Sequence, residues 1–269
     1  MLLKEDIGAV RRLTLDRPEV LNALNVELVE LLSDALREAE GDDDVRVVII
    51  RGSGRAFCSG YDLKEEATEG KPRSVTEWRD AGMASVAKML EIFDLEKPVI
   101  AEVHGYCLAG GCDLMMMCDI AVASEDAVFG EPEIRFGSGV VTMVMPWLIG
   151  ARRAKALLFT GDDRLDAEEA LRIGLVNKVV RKGELEDATL ELAHRIAASD
   201  PAAVALTKRA VNRSWEAAGF RQALQDGAYL AAEIEAAEVP ERKEFDRISA
   251  EQGLRAAIEW RDSRYAGSS

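Results

Sequence analysis

Three short stretches carry the residue types best suited to chemistry. "AFCSGYD" (56–62) and "AGGCD" (109–113) each follow a strand-like run and are too rich in small residues to be plain core. "FGEPEIRFG" (129–137) sets two acids around a proline in a mostly apolar stretch. Glycine lets a backbone approach a ligand closely. In the first turn of a helix it also leaves N–H groups facing outward, with the positive end of the helix dipole behind them. Such an end stabilises an anion or a developing oxyanion, and a second N–H from "SGYD" would complete a two-donor hole. Asp113 and Glu133 are then candidates for proton transfer beside that hole. Plainer readings stand next to these. Gly110 and Gly111 would also let a helix pack tightly on a strand. Asp113 suits a first helical turn for its dipole alone, and Glu133 suits an exposed loop.

Other chemistries find little support. "VVIIRGSGRAF" offers a GxG after a strand, but Phe57 stands where a dinucleotide fingerprint needs its third glycine, so the stretch reads as a turn. There is no phosphate-binding GxxxxGK[ST] and no GxSxG. The two histidines, His104 and His194, and the scattered cysteines Cys58, Cys107, Cys112 and Cys118 have no metal-ligand spacing. His104, at a strand end, suits a structural hydrogen bond, and His194 a helix surface. The cysteines read as reduced and mostly buried.

The elements that must position these residues alternate between strand and helix. "IGAVRRLTL" (7–15), "VRVVIIRG" (45–52), "KPVIAEVHG" (97–105) and "DIAVAS" (119–124) read as strands, three of them nearly continuous apolar runs. "VELVELLSDALREAE" (26–40) sets Leu28, Leu31, Leu32, Ala35 and Leu36 on one helical stripe. After about Pro146 helical patterns dominate, through 184–199, 201–216 and 220–238, with one strand at 175–180. "EEATEGKPRS" (65–74) has the composition of a mobile loop. The chain is therefore expected to be α/β, with a core over 1–200 and a helical C-terminal region over 201–269.

The 269 residues suffice for a sizeable core, and a net charge of −15 argues against a nucleic-acid or anionic-membrane binder. The start has no apolar segment of signal-peptide length, and the apolar run before Pro146 is too short to span a bilayer. A cytoplasmic protein is expected.

Five stretches in order carry a resemblance: "LDRPEVLNAL" (15–24), "AFCSGYDL" (56–63), "VHGYCLAGGCDLMMMCDIAVAS" (103–124), "FGEPEIRFG" (129–137) and "TGDDRLDAEEALRIGLVNKVV" (160–180). Together they resemble the enoyl-CoA hydratase/isomerase (crotonase) superfamily, over roughly residues 5–215. The resemblance implies a spiral of stacked ββα units with a helical C-terminal region used for assembly, as a homotrimer or a dimer of trimers. It implies an acyl-CoA thioester substrate, with coenzyme A present as part of that substrate and no prosthetic group or metal. The N–H groups of Tyr61 and Gly110 would form the oxyanion hole. Asp113 and Glu133 fall where the hydratases carry two glutamates, and Val20, Ala23, Asp62, Leu63 and Lys64 fall where the family holds the CoA chain.

The implied reaction is reversible addition of water to a 2-enoyl-CoA. A polarised thioester makes C3 electrophilic, and two carboxyl groups on one side handle the water and the C2 proton. Two departures bear on this. Asp113 is one methylene shorter than the family's glutamate, and Tyr61 is bulkier than the usual small residue. Val140, Met143 and Trp147 would line the acyl end of a pocket or be helix core. In the C-terminal helix Ala257 replaces a common aromatic and Trp260 a common lysine. Double-bond isomerisation, hydrolysis of a thioester or carbon–carbon bond, and a non-catalytic CoA-thioester binder are the alternatives.

Overall fold

The computed structural model describes residues 1–63, 65, 73–237 and 239–265. The strands are β1 (Leu2–Ile7), β2 (Val10–Leu15), β3 (Val47–Gly52), β4 (Ala56–Cys58), β5 (Val99–Val103), β6 (Tyr106–Leu108), β7 (Ile120–Ser124), β8 (Val128–Gly130), β9 (Leu165–Asp166) and β10 (Lys178–Val180). The helices begin with α1 (Val26–Gly41), α2 (Val75–Asp94), α3 (Gly110–Met117), α4 (Met145–Ile149), α5 (Ala151–Thr160) and α6 (Ala167–Ile173). They continue with α7 (Leu185–Ala197), α8 (Pro201–Ala217), α9 (Phe220–Ala236), α10 (Pro240–Gln252) and α11 (Leu254–Ser263).

Two sheets share the strands. One has the order β1-β2-β3-β5-β7-β10, the other β4-β6-β8-β9. Pairing is parallel from β2 to β10 in the first and from β4 to β8 in the second. Three successive turns of chain (β3-β4, β5-β6 and β7-β8) thus lay one strand in the larger sheet and the next in the smaller one, then a helix or helical segment. This is the expected spiral of ββα units.

The apolar runs of β3 and β5 follow from burial on both faces. Alternate residues serve different layers. Val47, Ile49, Ile100 and Val122 pack under Leu185 and Ala193 of α7, while Val48, Ile50, Ala101 and Val103 face the main core with α1 and α3. Every residue of α3 is buried, which accounts for its three successive methionines.

Some expectations are corrected. The stretch 7–15 is not one strand: Gly8, at φ +61°, turns the chain so that β1 and β2 pair as an antiparallel hairpin. Leu31 is 38% exposed and leaves the apolar stripe of α1. Val140 and Met143 are not in a helix, because residues 138–144 are irregular, while the helix that begins at Met145 agrees with the change of pattern near Pro146. Helix α2, unforeseen, starts at a reciprocal cap in which Ser74 accepts from the Glu77 N–H and Glu77 accepts from the Ser74 N–H. Lys64 and residues 66–72 of the supposed mobile loop lie outside the described residues. No helix among the described residues is long and apolar enough to cross a membrane.

Candidate active site

Helix α3 opens at the end of β6 through an abrupt change of direction. Ala109 has φ 53° and ψ −132°, a conformation L-residues rarely adopt, and its N–H is held by the Gly130 carbonyl at 2.8 Å. This turn sets Gly110 as the first helical residue, where its N–H has no acceptor within the helix. The loop after β4 comes up against it. A Cβ on Gly60 would lie 2.7 Å from Ala109 Cβ and 3.3 Å from the Gly110 nitrogen. A Cβ on Gly111 would lie 2.4 Å from the Cys58 carbonyl oxygen. The glycines therefore bring two strand-to-loop corners into direct backbone contact, so the packing reading is correct for Gly111. A Cβ on Gly110 would instead meet the Tyr61 ring, 2.7 Å from Cε2.

The β4 corner is itself zipped to the loop after β2. Leu24 donates its N–H to the Gly60 carbonyl at 2.8 Å, and Asp62 donates to the Leu24 carbonyl at 3.0 Å. In this parallel bridge the Tyr61 peptide faces away from Leu24. Asn22, fully buried with φ 58°, holds the arrangement from below. Its amide donates to the Ser53 and Ala56 carbonyls, both at 2.8 Å, and its Oδ1 accepts from the Arg17 N–H at 2.9 Å. Arg17 donates onward to the Ala23 carbonyl at 2.6 Å and to Asp62 at 2.9 Å. Sequence reasoning missed Asn22 and Arg17, although a buried Asn in a short turn is a recognisable device for bonding backbone.

The residues expected to hold a CoA chain gather on this double loop. Val20 ends a short 3-10 turn and is half-buried, Ala23 is buried, and the Asp62 carboxylate is engaged by Arg17. Leu63 packs against a small cluster formed by Phe136, Phe245, Ile248 and Ala257. Lys64 is outside the described residues.

The acids converge from two elements. Asp113 lies in the first turn of α3 and is 2% exposed. Glu133 opens a 3-10 turn (Glu133–Phe136) directly after Pro132. Burial, and then the neighbouring Glu133 charge, push the Asp113 carboxyl well above the usual carboxylate range. The Thr142 hydroxyl and N–H face it and act the other way, although that hydroxyl closes no hydrogen bond of ordinary geometry. Burial raises Glu133 to about 7, against the opposing pull of its own N–H, of Glu131 and of the Arg261 guanidinium. The two acids named from sequence are therefore brought together, and Glu133 is not an exposed loop acid.

Glu131 joins them. It is 1% exposed, and burial followed by the charges of Glu133 and Asp113 pushes it well above the usual range. The signal was the pair of acids around Pro132, of which only the second was chosen. The remaining titratable candidates are structural. His104 is buried with Nε2 3.1 Å from the Gly54 carbonyl, and burial lowers its pKa. His194 is exposed on α7. Burial pushes the Cys58 thiol up to about 12, out of reach as a nucleophile. Trp147 packs against Trp215 and Phe220, with ring centroids 6.0 and 5.3 Å away.

The spiral of ββα turns, the glycine-built corner at Gly110 and the paired acids define a protein of the crotonase class. A sequence model of the enoyl-CoA hydratase/isomerase family matches residues 5–265, and the chain belongs to that family. It is 40% identical over 223 residues to the short-chain-enoyl-CoA hydratase of Clostridium acetobutylicum, covering 80% of this chain and 82% of that protein. It is 39% identical over 222 residues to the crotonyl-CoA hydratase of Syntrophomonas wolfei, with 80% and 82% covered. Among solved structures, an enoyl-CoA hydratase/isomerase from Xanthobacter autotrophicus Py2 superposes with a TM-score of 0.94 at 43% identity, over 98% of this chain and 97% of that one.

Proposed function

We infer that this enzyme adds water reversibly across the 2,3 double bond of a 2-enoyl-CoA, with the thioester oxygen received by the N–H groups of Gly110 and Tyr61. The observation that carries the reading is the pairing of Asp113 with Glu133 beside the N-terminus of α3, with burial raising the pKa values of both. A raised pair divides the work by proton affinity. Glu133, with its pKa near 7, takes a proton from water as the oxygen bonds to C3. Asp113, held protonated, gives its proton to C2 as the enolate collapses. Return of a proton from Glu133 to Asp113 restores both groups, and the net change is one water added. The donors at Gly110 and Tyr61 stabilise the enolate oxygen in between; loss of one such donor typically costs about 2.7–4 kcal/mol.

Val20, Ala23, Asp62, Leu63 and Lys64 are proposed to flank the CoA chain. Backbone groups of the double loop serve better than the Asp62 carboxylate, which Arg17 already holds. The similarity to hydratases named for short-chain and crotonyl substrates supports a short acyl group. The helical region over 201–269 is proposed to carry a trimer or dimer-of-trimers contact. Leu206, Val211 and Leu230 of α8 and α9 stand 57–62% exposed there. Four free cysteines suit a reducing cytoplasm.

The test is loss of the enoyl absorbance of crotonyl-CoA and longer 2-enoyl-CoAs on mixing with the purified protein. Turnover at any of these lengths is expected. Stabilisation by the thioester without turnover at any length would overturn the hydratase reading and leave a binder.

A further inference from the structure

Glu131 has no role in the two-acid scheme, yet it sits in the same cluster with an unusual deficit. Both of its carboxylate oxygens, together with Oε2 of Glu133, are buried and meet no hydrogen-bond donor among the described residues. Unpartnered buried carboxylate oxygens are costly, and two facing carboxyls satisfy each other only when a proton lies between them. The chain cannot swing Glu131 away. Its N–H is bonded to the Asp162 carbonyl at 3.2 Å, and the preceding Gly130 lies so close to Asp162 and Asp163 that a Cβ would fall 2.3 Å from their backbone atoms.

The surroundings decide which acid keeps the proton. Glu131 is faced by Asp113 and Cys112 of α3, by Cys107 of β6 and by Glu133, all of which disfavour its charge. Glu133 is faced by the Arg261 guanidinium of α11 and by its own N–H, with Glu235 of α9 acting the other way. The proton therefore stays on the deeper acid. We propose that Glu131 is a positioning residue, whose protonated carboxyl donates a hydrogen bond to Glu133 and keeps Glu133 as the ionised member of the cluster. This rests on the hydratase reading for its catalytic consequence but not for its geometry. With 1% of its surface exposed, Glu131 acts on substrate only through Glu133.

The test uses the full chain with Glu131→Gln, which keeps a donor, and Glu131→Leu, which removes it; Glu131→Met is the second variant should the leucine form not fold. The Glu133 titration is followed by carbon-13 carboxyl NMR without substrate, its signal identified by its loss in Glu133→Gln. In Glu131→Leu or Glu131→Met the Glu133 midpoint should rise by about one pH unit, and hydration at neutral pH should fall about fivefold. The loss should appear in kcat, with KM little changed. Glu131→Gln should keep the wild-type midpoint and recover most of the rate. An unmoved or lowered midpoint in the donor-less variants overturns the proposal, as does a Glu131→Gln enzyme no faster than Glu131→Leu. Should the wild type hydrate nothing, the hydratase reading fails alone, and the NMR midpoints still decide the role of Glu131.

Discussion

The aromatic ring of Tyr61 lies directly over the α-carbon of Gly110, so that a methyl group there would come within 2.7 Å of Cε2. A side chain from one corner of the site thus covers the backbone of the other. Gly110→Ala should displace the ring and lower kcat by about tenfold or more, with a modest fall in Tm, because a ring can shift. Adding Tyr61→Ala should remove the clash, and a double-mutant cycle in kcat and Tm should show favourable coupling between the two positions.

Gly111 presents the opposite case. Its would-be methyl meets the Cys58 carbonyl at 2.4 Å, and a backbone carbonyl in a strand corner cannot move aside. Gly111→Ala is expected to destabilise the fold by about 1–3 kcal/mol, more than Gly110→Ala does. Urea denaturation of the two variants side by side checks the order.

Asp113→Ala separates the two-acid reaction from its one-acid relatives. Hydration should fall by about a hundredfold or more, since general acid–base contributions are of that size. An isomerase relying on Glu133 would keep much of its rate, so assaying both reactions on the same variant distinguishes them. Asp113→Asn, which keeps the shape, should be as slow as Asp113→Ala.

The raised Glu133 pKa makes a prediction about stability as well as rate. Below about pH 4.5 the carboxyl is neutral in both folded and unfolded chains. Between 4.5 and about 7 the unfolded chain releases its proton first, so stability falls as pH rises through that window. Glu133→Gln should therefore unfold at a higher temperature than wild type at pH 8, by a margin that shrinks at pH 5. The full contribution is on the order of 3 kcal/mol. The hydration rate runs the other way, rising through pH 7 as Glu133 ionises.

Asn22→Ala should loosen the double loop. It removes hydrogen bonds to Ser53, Ala56 and Arg17 from a fully buried residue in the left-handed region. A loss of about 2–3 kcal/mol is expected, with a rise in KM for the thioester larger than the fall in kcat. Equal effects on both would mean that the loop positions the reacting atoms and not the carrier.

The parts legible in the sequence were those governed by local rules. The apolar runs of β3, β5 and β7 and the glycines at 110 and 111 state their own burial and backbone geometry, so the alternation of elements and the mouth of α3 could be read directly. Glu131 could not. Two acids around Pro132 look alike until the 3-10 turn sends one beside Arg261 and leaves the other behind it. Asn22 was hidden for a similar reason: the two carbonyls to which its amide donates lie 31 and 34 residues away. The hairpin at Gly8 was missed because one glycine inside an alternating run does not by itself announce a reversal.

The terminal helices pack on the turn that carries Glu133. Phe136 stacks on Phe245 at 5.1 Å, and Asp163 is bridged by both Arg135 and Arg261, each at 3.1 Å. The acid is thus anchored by residues more than a hundred positions downstream. On the ribosome, the strands, the glycine corner and Asp113 are all available early, while the support for Glu133 emerges only with α10 and α11. A chain truncated before α10 is therefore expected to lose the support of the Glu133 turn, and with it the proposed proton transfer, which an assay of the truncated protein checks.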